Sequence, residues 1–291
     1  MNTQAHQPVP LNPEIVTGAP FKKGTGFHAM SYRHSAFNGK MDPLVMVDHY
    51  HMSAPTFGAH AHAGLSAVSI IFEDSIGQFR NQDSMGNDID LEPGDVYWLS
   101  AGKGAVHDEY PRPGAKTHGL QVFVNTPQNM RHLDPESLHI KANSIPVIER
   151  EGHRVRVLLG ETNQVQSQNA PTIPLTILDG FVEPQKHFEH IAKPNHNTWI
   201  IALEGALKIS VGSETFMLQK DEALALAELN SAEDSPIRIE NSSENLGHFA
   251  LFSGQMIKEP FVQEGPFIMS TQEQIEQVRA DYEAGRLGSI E

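Results

Sequence analysis

Leu91-Glu-Pro-Gly-Asp-Val-Tyr-Trp-Leu99 is a segment in which an acidic, turn-forming sequence precedes a run of apolar and aromatic residues. Proline, glycine and aspartate favour a tight turn, and the run that follows has the composition of a buried strand. The second half of the chain contains a similar segment, Leu218-Gln-Lys-Asp-Glu-Ala-Leu-Ala-Leu226. The recurrence of this design indicates an internal duplication of one β-rich unit.

Short strand-like segments occur along the chain at roughly ten-residue spacing, with turn residues between them. Helical periodicity is nearly absent before residue 125. This pattern is typical of β-sandwiches and β-barrels, and the sequence therefore predicts an all-β protein. The predicted strands are residues 43–48, 65–72, 96–100, 119–125, 155–159, 172–178, 188–191, 197–203 and 206–211.

The length of 291 residues favours two domains. A polar, proline-containing passage over residues 126–146 is interpreted as the crossover, which gives domains at 1–140 and 141–291. The tail contains Ser270-Thr-Gln-Glu273, a capping-box pattern, followed by Ile275, Val278 and Tyr282 at helical spacing. We expect a short C-terminal helix that Gly285 ends.

Composition excludes several classes of function. The formal charge of −15 opposes contact with a phosphate backbone, so we expect no direct nucleic-acid binding. The chain has no apolar run near the about 20 residues that span a bilayer, and its first residues do not form a secretory signal. The absence of cysteine excludes disulfides and thiolate metal sites. A cytoplasmic location without membrane contact is the expectation.

His60 and His62 form a His-x-His motif. Alternate residues of a strand point to the same face, so both imidazoles would lie together if this segment is extended. Neutral imidazoles are common ligands of divalent metals. Two histidines do not make a site by themselves, and further ligands must come from another strand.

His107 and Glu109 supply the best complement, because they have the same i, i+2 spacing while Asp108 points away. Facing strands inside a barrel would bring three imidazoles and one carboxylate together. This donor set suits Fe(II), Mn, Ni, Cu or Zn, and it would leave positions open for small molecules. The predicted metal ligands are therefore His60, His62, His107 and Glu109, and structural zinc is disfavoured.

The remaining histidines are assigned no metal. His49 and His51 have the same spacing as the first pair but lack a matching carboxylate. They are interpreted as surface residues at a strand end or as residues that support the metal ligands without binding the metal. His118 is interpreted as a hydrogen-bonded core histidine. The second half has no His-x-His or His-x-Glu motif, so we expect no second metal there; its candidates are His187, His190 and His196.

In combination, these motifs resemble those of the pirin family within the cupin superfamily. The resemblance spans nearly the whole chain, and we list the segments that carry it. They are Asp42-Pro-Leu-Val-Met-Val-Asp48, His60-Ala-His-Ala-Gly64, Pro93-Gly-Asp-Val-Tyr-Trp98, Gly102-Lys-Gly-Ala-Val-His-Asp-Glu109, Pro194-Asn-His-Asn197 and Glu259-Pro-Phe-Val-Gln-Glu-Gly-Pro-Phe-Ile-Met269.

The resemblance implies a bicupin, with two stacked cupin-type β-barrels and one metal, usually iron, in the N-terminal barrel. The metal ligands of the family fall on His60, His62, His107 and Glu109. The chain departs from the usual His-Pro-His-Arg-Gly-Phe-Glu pattern, since Ala63 and Ser66 replace the arginine and the glutamate.

Two functions follow from the resemblance. The first is a metal-dependent dioxygenase of the quercetin 2,3-dioxygenase type, an oxidoreductase that takes a small aromatic chelating substrate such as a flavonol. Its metal would be Fe(II), with Ni, Mn, Cu and Zn as alternatives, and Glu109 would serve as catalytic base. The second is a non-enzymatic, iron-dependent redox sensor that binds a protein partner through its acidic surface.

Overall fold

The computed structural model describes residues 13–227, 229 and 234–290. Twelve strands lie in the first part of the chain. They are β1 Glu14–Thr17, β2 Ala19–Lys23, β3 Phe27–Arg33, β4 Leu44–Met52, β5 His60–His62, β6 Leu65–Ile71, β7 Phe79–Asp83, β8 Asp88–Leu91, β9 Val96–Ser100, β10 Ala105–Pro111, β11 Thr117–Asn125 and β12 Glu136–Ile140. Short 3₁₀ segments cover His34–Phe37, Gln128–Met130 and Ala142–Ser144.

The second part of the chain contains the remaining strands and one α-helix. They are β13 Val147–Arg150, β14 His153–Leu159, β15 Glu161–Thr162, β16 Val165–Gln166, β17 Leu175–Val182, β18 His187–Ala192, β19 His196–Glu204, β20 Leu207–Val211, β21 Glu214–Leu218, β22 Glu222–Leu226, β23 Ser235–Asn241, β24 Gly247–Gln255, β25 Val262–Glu264, β26 Phe267–Met269 and α1 Gln272–Glu283. The prediction of an all-β fold with a short C-terminal helix is confirmed.

Each barrel combines a seven-stranded sheet with a four-stranded sheet. The order is β12-β9-β6-β11-β4-β3-β2 with β5-β10-β7-β8 in the first barrel. It is β1-β22-β19-β24-β17-β14-β13 with β18-β23-β20-β21 in the second. The two segments that share the acidic turn become β9 and β22, and they occupy the same position in their sheets. The duplication inferred from them is therefore visible in the topology.

The edge beside β22 is occupied by β1, whose residues 14–17 pair with residues 222–225. The N-terminal strand therefore completes the larger sheet of the second barrel. The matching edge beside β9 is occupied by β12, which lies in the passage predicted to be a polar crossover. Both edges are paired, which protects strands that would otherwise expose unpaired backbone groups.

The two barrels share an apolar interface. Trp98 of the first barrel and Trp199 of the second are both fully buried in the same hydrophobic cluster. Tyr32 packs edge to face on Trp199, with ring centroids 5.4 Å apart. Arg156, which is 1% exposed, donates to the backbone oxygen of Gly94 in the first barrel. The interface thus combines aromatic packing with a buried ionic group.

The C-terminal helix packs on the first barrel. Its buried residues Ile275 and Val278 belong to a cluster with Ala61 and Ala63 on and beside β5 and with Val106 on β10. The backbone N–H of Ile268 donates to the oxygen of Ala63. Residues near the C-terminus therefore cover the outer side of the strand pair that bears the predicted metal ligands.

The helix begins one residue later than a Ser270 cap would place it. Thr271 is the N-cap, and its side chain and that of Gln274 form the capping box. Tyr282 stays 37% exposed, while the two preceding residues of the apolar stripe are buried. The helix that the sequence predicts is thus present, with its cap shifted by one position. None of the described helices could cross a membrane, because none combines sufficient length with sufficient apolarity.

Candidate metal centre

The first barrel brings His60, His62 and His107 together through the pairing of two short strands. Strand β10 runs antiparallel to β5, with His107 opposite His60 and Ala105 opposite His62. Period-2 alternation directs both imidazoles of β5 to the barrel interior, while Ala61 between them packs outward against the C-terminal segment. Ala105, directly opposite His62, is fully buried.

The three imidazoles converge through their Nε2 atoms. His62 Nε2 lies 2.9 Å from His107 Nε2 and 3.1 Å from His60 Nε2. The distance between His107 Nε2 and His60 Nε2 is 3.2 Å. His62 and His107 are nearly inaccessible to solvent, at 1% and 2% exposure. Three nitrogen donors therefore face one point in a largely dehydrated environment.

Hydrogen bonding and burial keep these nitrogens available as donors. His60 Nδ1 donates to the backbone oxygen of Gly58 at 2.8 Å, which leaves the Nε2 lone pair directed into the cluster. Burial lowers the pKa of His62 and His107 well below the usual value, and the neighbouring imidazoles lower it further. Burial also lowers the pKa of His60. All three rings are thus neutral near pH 7, the state that binds metals.

The spacing of the nitrogens fits a transition metal. Nitrogens at adjacent octahedral positions, about 2.1 Å from a metal, are about 3.0 Å apart. The three distances bracket that value. Without a cation, three lone pairs would face one another at close range. The donor set and its geometry therefore fit a divalent metal held on three imidazoles.

Glu109 lies beside the three histidines but is not among the groups whose ligand atoms all lie within 4.8 Å of one another. Its Oε1 is 2.5 Å from Ser69 Oγ, and its Oε2 is 3.9 Å from His107 Nδ1. Burial raises the pKa of Glu109 to about 7, an effect that the Ser69 hydrogen bond opposes. The assignment of all four residues as ligands stays a prediction.

A cavity of about 510 Å³ opens onto the cluster. Phe27, Tyr50 and Phe57 form part of its wall, with Phe27 stacked on Tyr50 at 5.7 Å and edge to face with Phe57 at 4.9 Å. His60, His62, His107 and Glu109 all line it, as do Phe79 and Phe123. Its volume lies in the range of small-molecule sites.

Sequence reasoning did not identify the aromatic wall or Ser69. Ser69 lies on β6, and Gln121 on the neighbouring β11 lies directly opposite it. Ser69 Oγ is 3.0 Å from Gln121 Oε1 as well as close to Glu109. The sequence did contain a signal for Ser69, because it is a serine within the apolar strand predicted at residues 65–72. A buried hydroxyl in such a strand needs a polar partner.

The two positions that depart from the pirin pattern lie on either side of a sharp turn. Ala63 is fully buried and forms an isolated bridge with Phe267 of the C-terminal segment. Ser66 is also fully buried, and its hydroxyl makes no hydrogen bond to any of the described residues. The C-terminal segment therefore lies close to the chain at Ala63, just after β5. A longer side chain at this position would have to displace that segment.

The other histidines lie away from this cluster. His190 is buried and contacts Thr162 Oγ1 at 3.0 Å, while His187 is exposed. His196 begins β19. His49 and His51 lie near the end of β4, which ends at Met52. With His118 they form a second group of close histidines on the opposite face of the sheet.

The fold and the histidine cluster define the chain as a bicupin with a candidate metal centre in its N-terminal barrel. Family models named Pirin and Pirin C-terminal cupin domain match residues 22–124 and 177–288. A pirin-like protein of Solanum lycopersicum is 32% identical over 256 residues, which cover 85% of this chain and 82% of the relative. The chain belongs to the pirin family.

Two further relatives bear on function. Human pirin is 29% identical over 250 residues, covering 85% of this chain and 83% of the relative. A Pseudomonas aeruginosa protein named "Putative quercetin 2,3-dioxygenase" is 29% identical over 237 residues, covering 79% of this chain and 78% of the relative. The family thus includes a member whose name gives a specific reaction.

Solved structures share the fold. A quercetin 2,3-dioxygenase from Acinetobacter baumannii superposes with a TM-score of 0.82 at 24% identity, covering 95% of this chain and 98% of that structure. A bacterial pirin from Escherichia coli in complex with nickel(II) superposes with a TM-score of 0.62 at 15% identity, covering 84% and 99%. At these identities the likeness establishes the architecture alone.

Proposed function

We propose that this pirin is a metal-dependent dioxygenase of the quercetin 2,3-dioxygenase type, acting on a small aromatic substrate with adjacent oxygen atoms. The observation that carries the proposal is an aromatic cavity that opens directly onto three convergent imidazole nitrogens. The name of the Pseudomonas aeruginosa relative supports the same reaction class.

The cavity wall would bind and orient a flat aromatic molecule. Phe27, Phe57 and Phe79 line one part of it and offer ring faces and edges for stacking. Lys23 Nζ lies 4.3 Å from the ring centroid of Phe57 and places a positive charge at the cavity margin. A flavonol, with fused rings and two neighbouring oxygens, combines an aromatic surface with a chelating edge.

His60, His62 and His107 would hold the metal, with Glu109 beside them. The metal, which the family resemblance implies is iron(II), would supply Lewis acidity and redox chemistry. In the overall reaction both atoms of dioxygen enter the substrate and one ring carbon leaves as carbon monoxide. The Escherichia coli pirin structure is a complex with nickel(II), which supports nickel as the alternative metal for loading.

Glu109 would accept the proton of the substrate hydroxyl. Ser69 holds Oε1, which leaves Oε2 for proton transfer. A pKa of about 7 suits a general base that works near neutral pH. Burial of the carboxylate would also keep bulk water from competing for that proton.

The test measures quercetin loss by absorbance and carbon monoxide release in air, using chain loaded with Fe(II) or Ni(II). His62→Ala should lose both bound metal at this cluster and turnover. Glu109→Gln should lower kcat by about 10²–10⁴-fold while the three imidazoles remain. Loaded wild-type protein that consumes no quercetin and releases no carbon monoxide would exclude the proposal.

The alternative function, a redox-dependent regulator, rests on the acidic surface implied by the charge of −15. It predicts that a protein partner is retained by the immobilised chain in one oxidation state of the metal and released in the other. Quercetin turnover by the loaded protein would favour the enzyme, and a partner retained equally in both states would contradict the regulator.

A further inference from the structure

His49, His51 and His118 lie together on the outer face of the larger sheet of the first barrel. His51 on β4 is directly opposite His118 on β11, and His49 is opposite the neighbouring Leu120. Asp48 and Tyr50, which alternate with these histidines along β4, line the cavity of the first site. The second histidine group therefore faces away from that cavity, toward the junction with the second barrel.

The strongest contact in the group joins two ring nitrogens. His49 Nε2 and His118 Nε2 are 2.8 Å apart. His118 Nδ1 lies 2.8 Å and 2.9 Å from the two carboxylate oxygens of Asp74, which fixes a proton on Nδ1. With a proton on Nδ1 alone, His118 would present an Nε2 lone pair to His49. A carboxylate that orients an imidazole in this way is the usual outer partner of a metal-bound histidine.

His49 also faces a carboxylate on its other side, at a longer distance. It is 8% exposed, and its Nδ1 makes no hydrogen bond to the described residues. That atom lies 3.6 Å from Oδ1 of Asp221, in the turn before β22 of the second barrel. The two Nε2 atoms share a hydrogen bond at 2.8 Å. A divalent cation bound to both nitrogens would take the place of the shared proton.

His51 supplies a third donor from the solvent side. Its ring stacks on that of His118, with centroids 4.2 Å apart and planes 10° apart. Because an imidazole lone pair lies in the ring plane, His51 must rotate to share a ligand with His118. That rotation would exchange its stacking on His118, and on His28 at 4.9 Å, for a bond to the metal. One ligand atom from each of the three residues already lies within 4.8 Å of the others.

We propose that His49, His51 and His118 form a second metal site, specific for a late first-row divalent cation such as Zn²⁺. Three imidazoles favour such a cation over Mg²⁺ or Ca²⁺, which prefer oxygen ligands. Asp74 and Asp221 would orient two of the rings. Since Asp221 comes from the second barrel, bound metal would link the two barrels through His49.

The test uses the full-length chain, freed of metal with a chelator, dialysed against Zn²⁺ and analysed for bound metal. His62→Ala removes a nitrogen from the first site, and this variant should still bind one equivalent. His62→Ala/His118→Ala should bind none, with far-UV circular dichroism confirming its fold. Quercetin turnover plays no part in this readout, so its outcome is separate from that of the proposed function.

Two variants make the assignment specific. Asp74→Asn keeps all three imidazoles and removes only the group that orients His118, so Zn²⁺ affinity in the His62→Ala background should fall roughly 10- to 100-fold. His187→Ala removes an exposed histidine of the second barrel and should leave that affinity unchanged.

Three results would overturn the proposal. They are no Zn²⁺ bound by His62→Ala, retention of that equivalent after His118→Ala, or an equal loss of affinity in His187→Ala. If His118→Ala does not fold, unchanged affinity in Asp74→Asn has the same consequence. Zn²⁺ should raise the melting temperature of His62→Ala and should not raise that of His62→Ala/Asp74→Asn at the same Zn²⁺ concentration. This difference would give independent support.

Discussion

Arg156 is a buried charged residue at the interface between the two barrels. Its side chain is 1% exposed, and Nη1 lies 3.1 Å from Oδ2 of Asp179, which is itself 2% exposed. Its other terminal nitrogen donates to the backbone oxygen of Gly94 across the barrel interface. We consider Arg156→Leu, which keeps an apolar side chain at this position and removes the positive charge and all of the guanidinium hydrogen-bond donors.

The magnitude follows from what the substitution leaves behind. Removing one partner of a buried ion pair costs about 3–5 kcal/mol, because the remaining charge is buried without compensation. The unsatisfied oxygen of Gly94 adds about 1–3 kcal/mol. His248 Nε2, 2.6 Å from Oδ1 of Asp179, keeps part of that carboxylate satisfied. We therefore expect a loss of about 3–5 kcal/mol in the free energy of unfolding.

Arg154→Leu is the matched control, since Arg154 lies two residues away on the same strand. It pairs with Glu73, and the two side chains are 35% and 39% exposed. An exposed pair of this kind contributes about 0–1 kcal/mol. Urea unfolding followed by tryptophan fluorescence would measure both variants, because Trp98 and Trp199 are buried at the interface between the barrels.

Two results would refute this reasoning. One is an Arg156→Leu variant that loses no more stability than Arg154→Leu. The other is an Arg156→Leu/Asp179→Asn variant that is as unstable as the sum of the single changes, since removing the orphaned charge should recover part of the loss.

Three further predictions concern pH and the C-terminal segment. Burial would raise the pKa of Asp179, but its imidazole and guanidinium partners outweigh burial and lower that pKa. The contribution of Asp179 to stability is therefore full above the ordinary aspartate pKa of about 3.9. It is lost as pH falls through the lowered pKa. Asp179→Asn should flatten the acid limb of stability against pH, and an unchanged limb would contradict this. Gly64→Ala should destabilise the chain by several kcal/mol more than Gly58→Ala. Both glycines have φ near +70°, but only an added Cβ at Gly64 would overlap the backbone oxygen of Ile268. Equal chemical-denaturation midpoints of the two variants would contradict this. Ile275→Ala should lower the free energy of unfolding by about 2–5 kcal/mol and weaken metal binding at the first site. Tyr282→Ala, at an exposed position, should change neither property. Calorimetry would measure the stability, and metal titration would measure the affinity.

The sequence was sufficient for the features that depend on local spacing. Period-2 alternation predicted that His60 and His62 share a face, and the same rule paired His107 with Glu109. The recurrence of the acidic turn before β9 and β22 predicted duplicated barrels. These inferences need no knowledge of which strand lies beside which.

Features that depend on strand register could not be predicted. The group formed by His49, His51 and His118 exists because β4 and β11 pair with His51 opposite His118, residues far apart in sequence. The aromatic cavity wall collects side chains from several strands for the same reason. The C-terminal helix had a readable cap and apolar stripe, but neither specifies which barrel it packs against.

The packing of the C-terminal segment on β5 has a consequence for synthesis. The N-terminus of a chain leaves the ribosome first, and domains generally fold in order from the N-terminus. Ala61, Ala63 and Val106 are synthesised early, yet the residues that cover them, from Phe267 to Leu287, follow both barrels in the chain. The strands that carry the histidine cluster therefore stay uncovered until residues 267–287 have been synthesised. A chain truncated before Phe267 would contain every histidine of the cluster and would leave these strands uncovered.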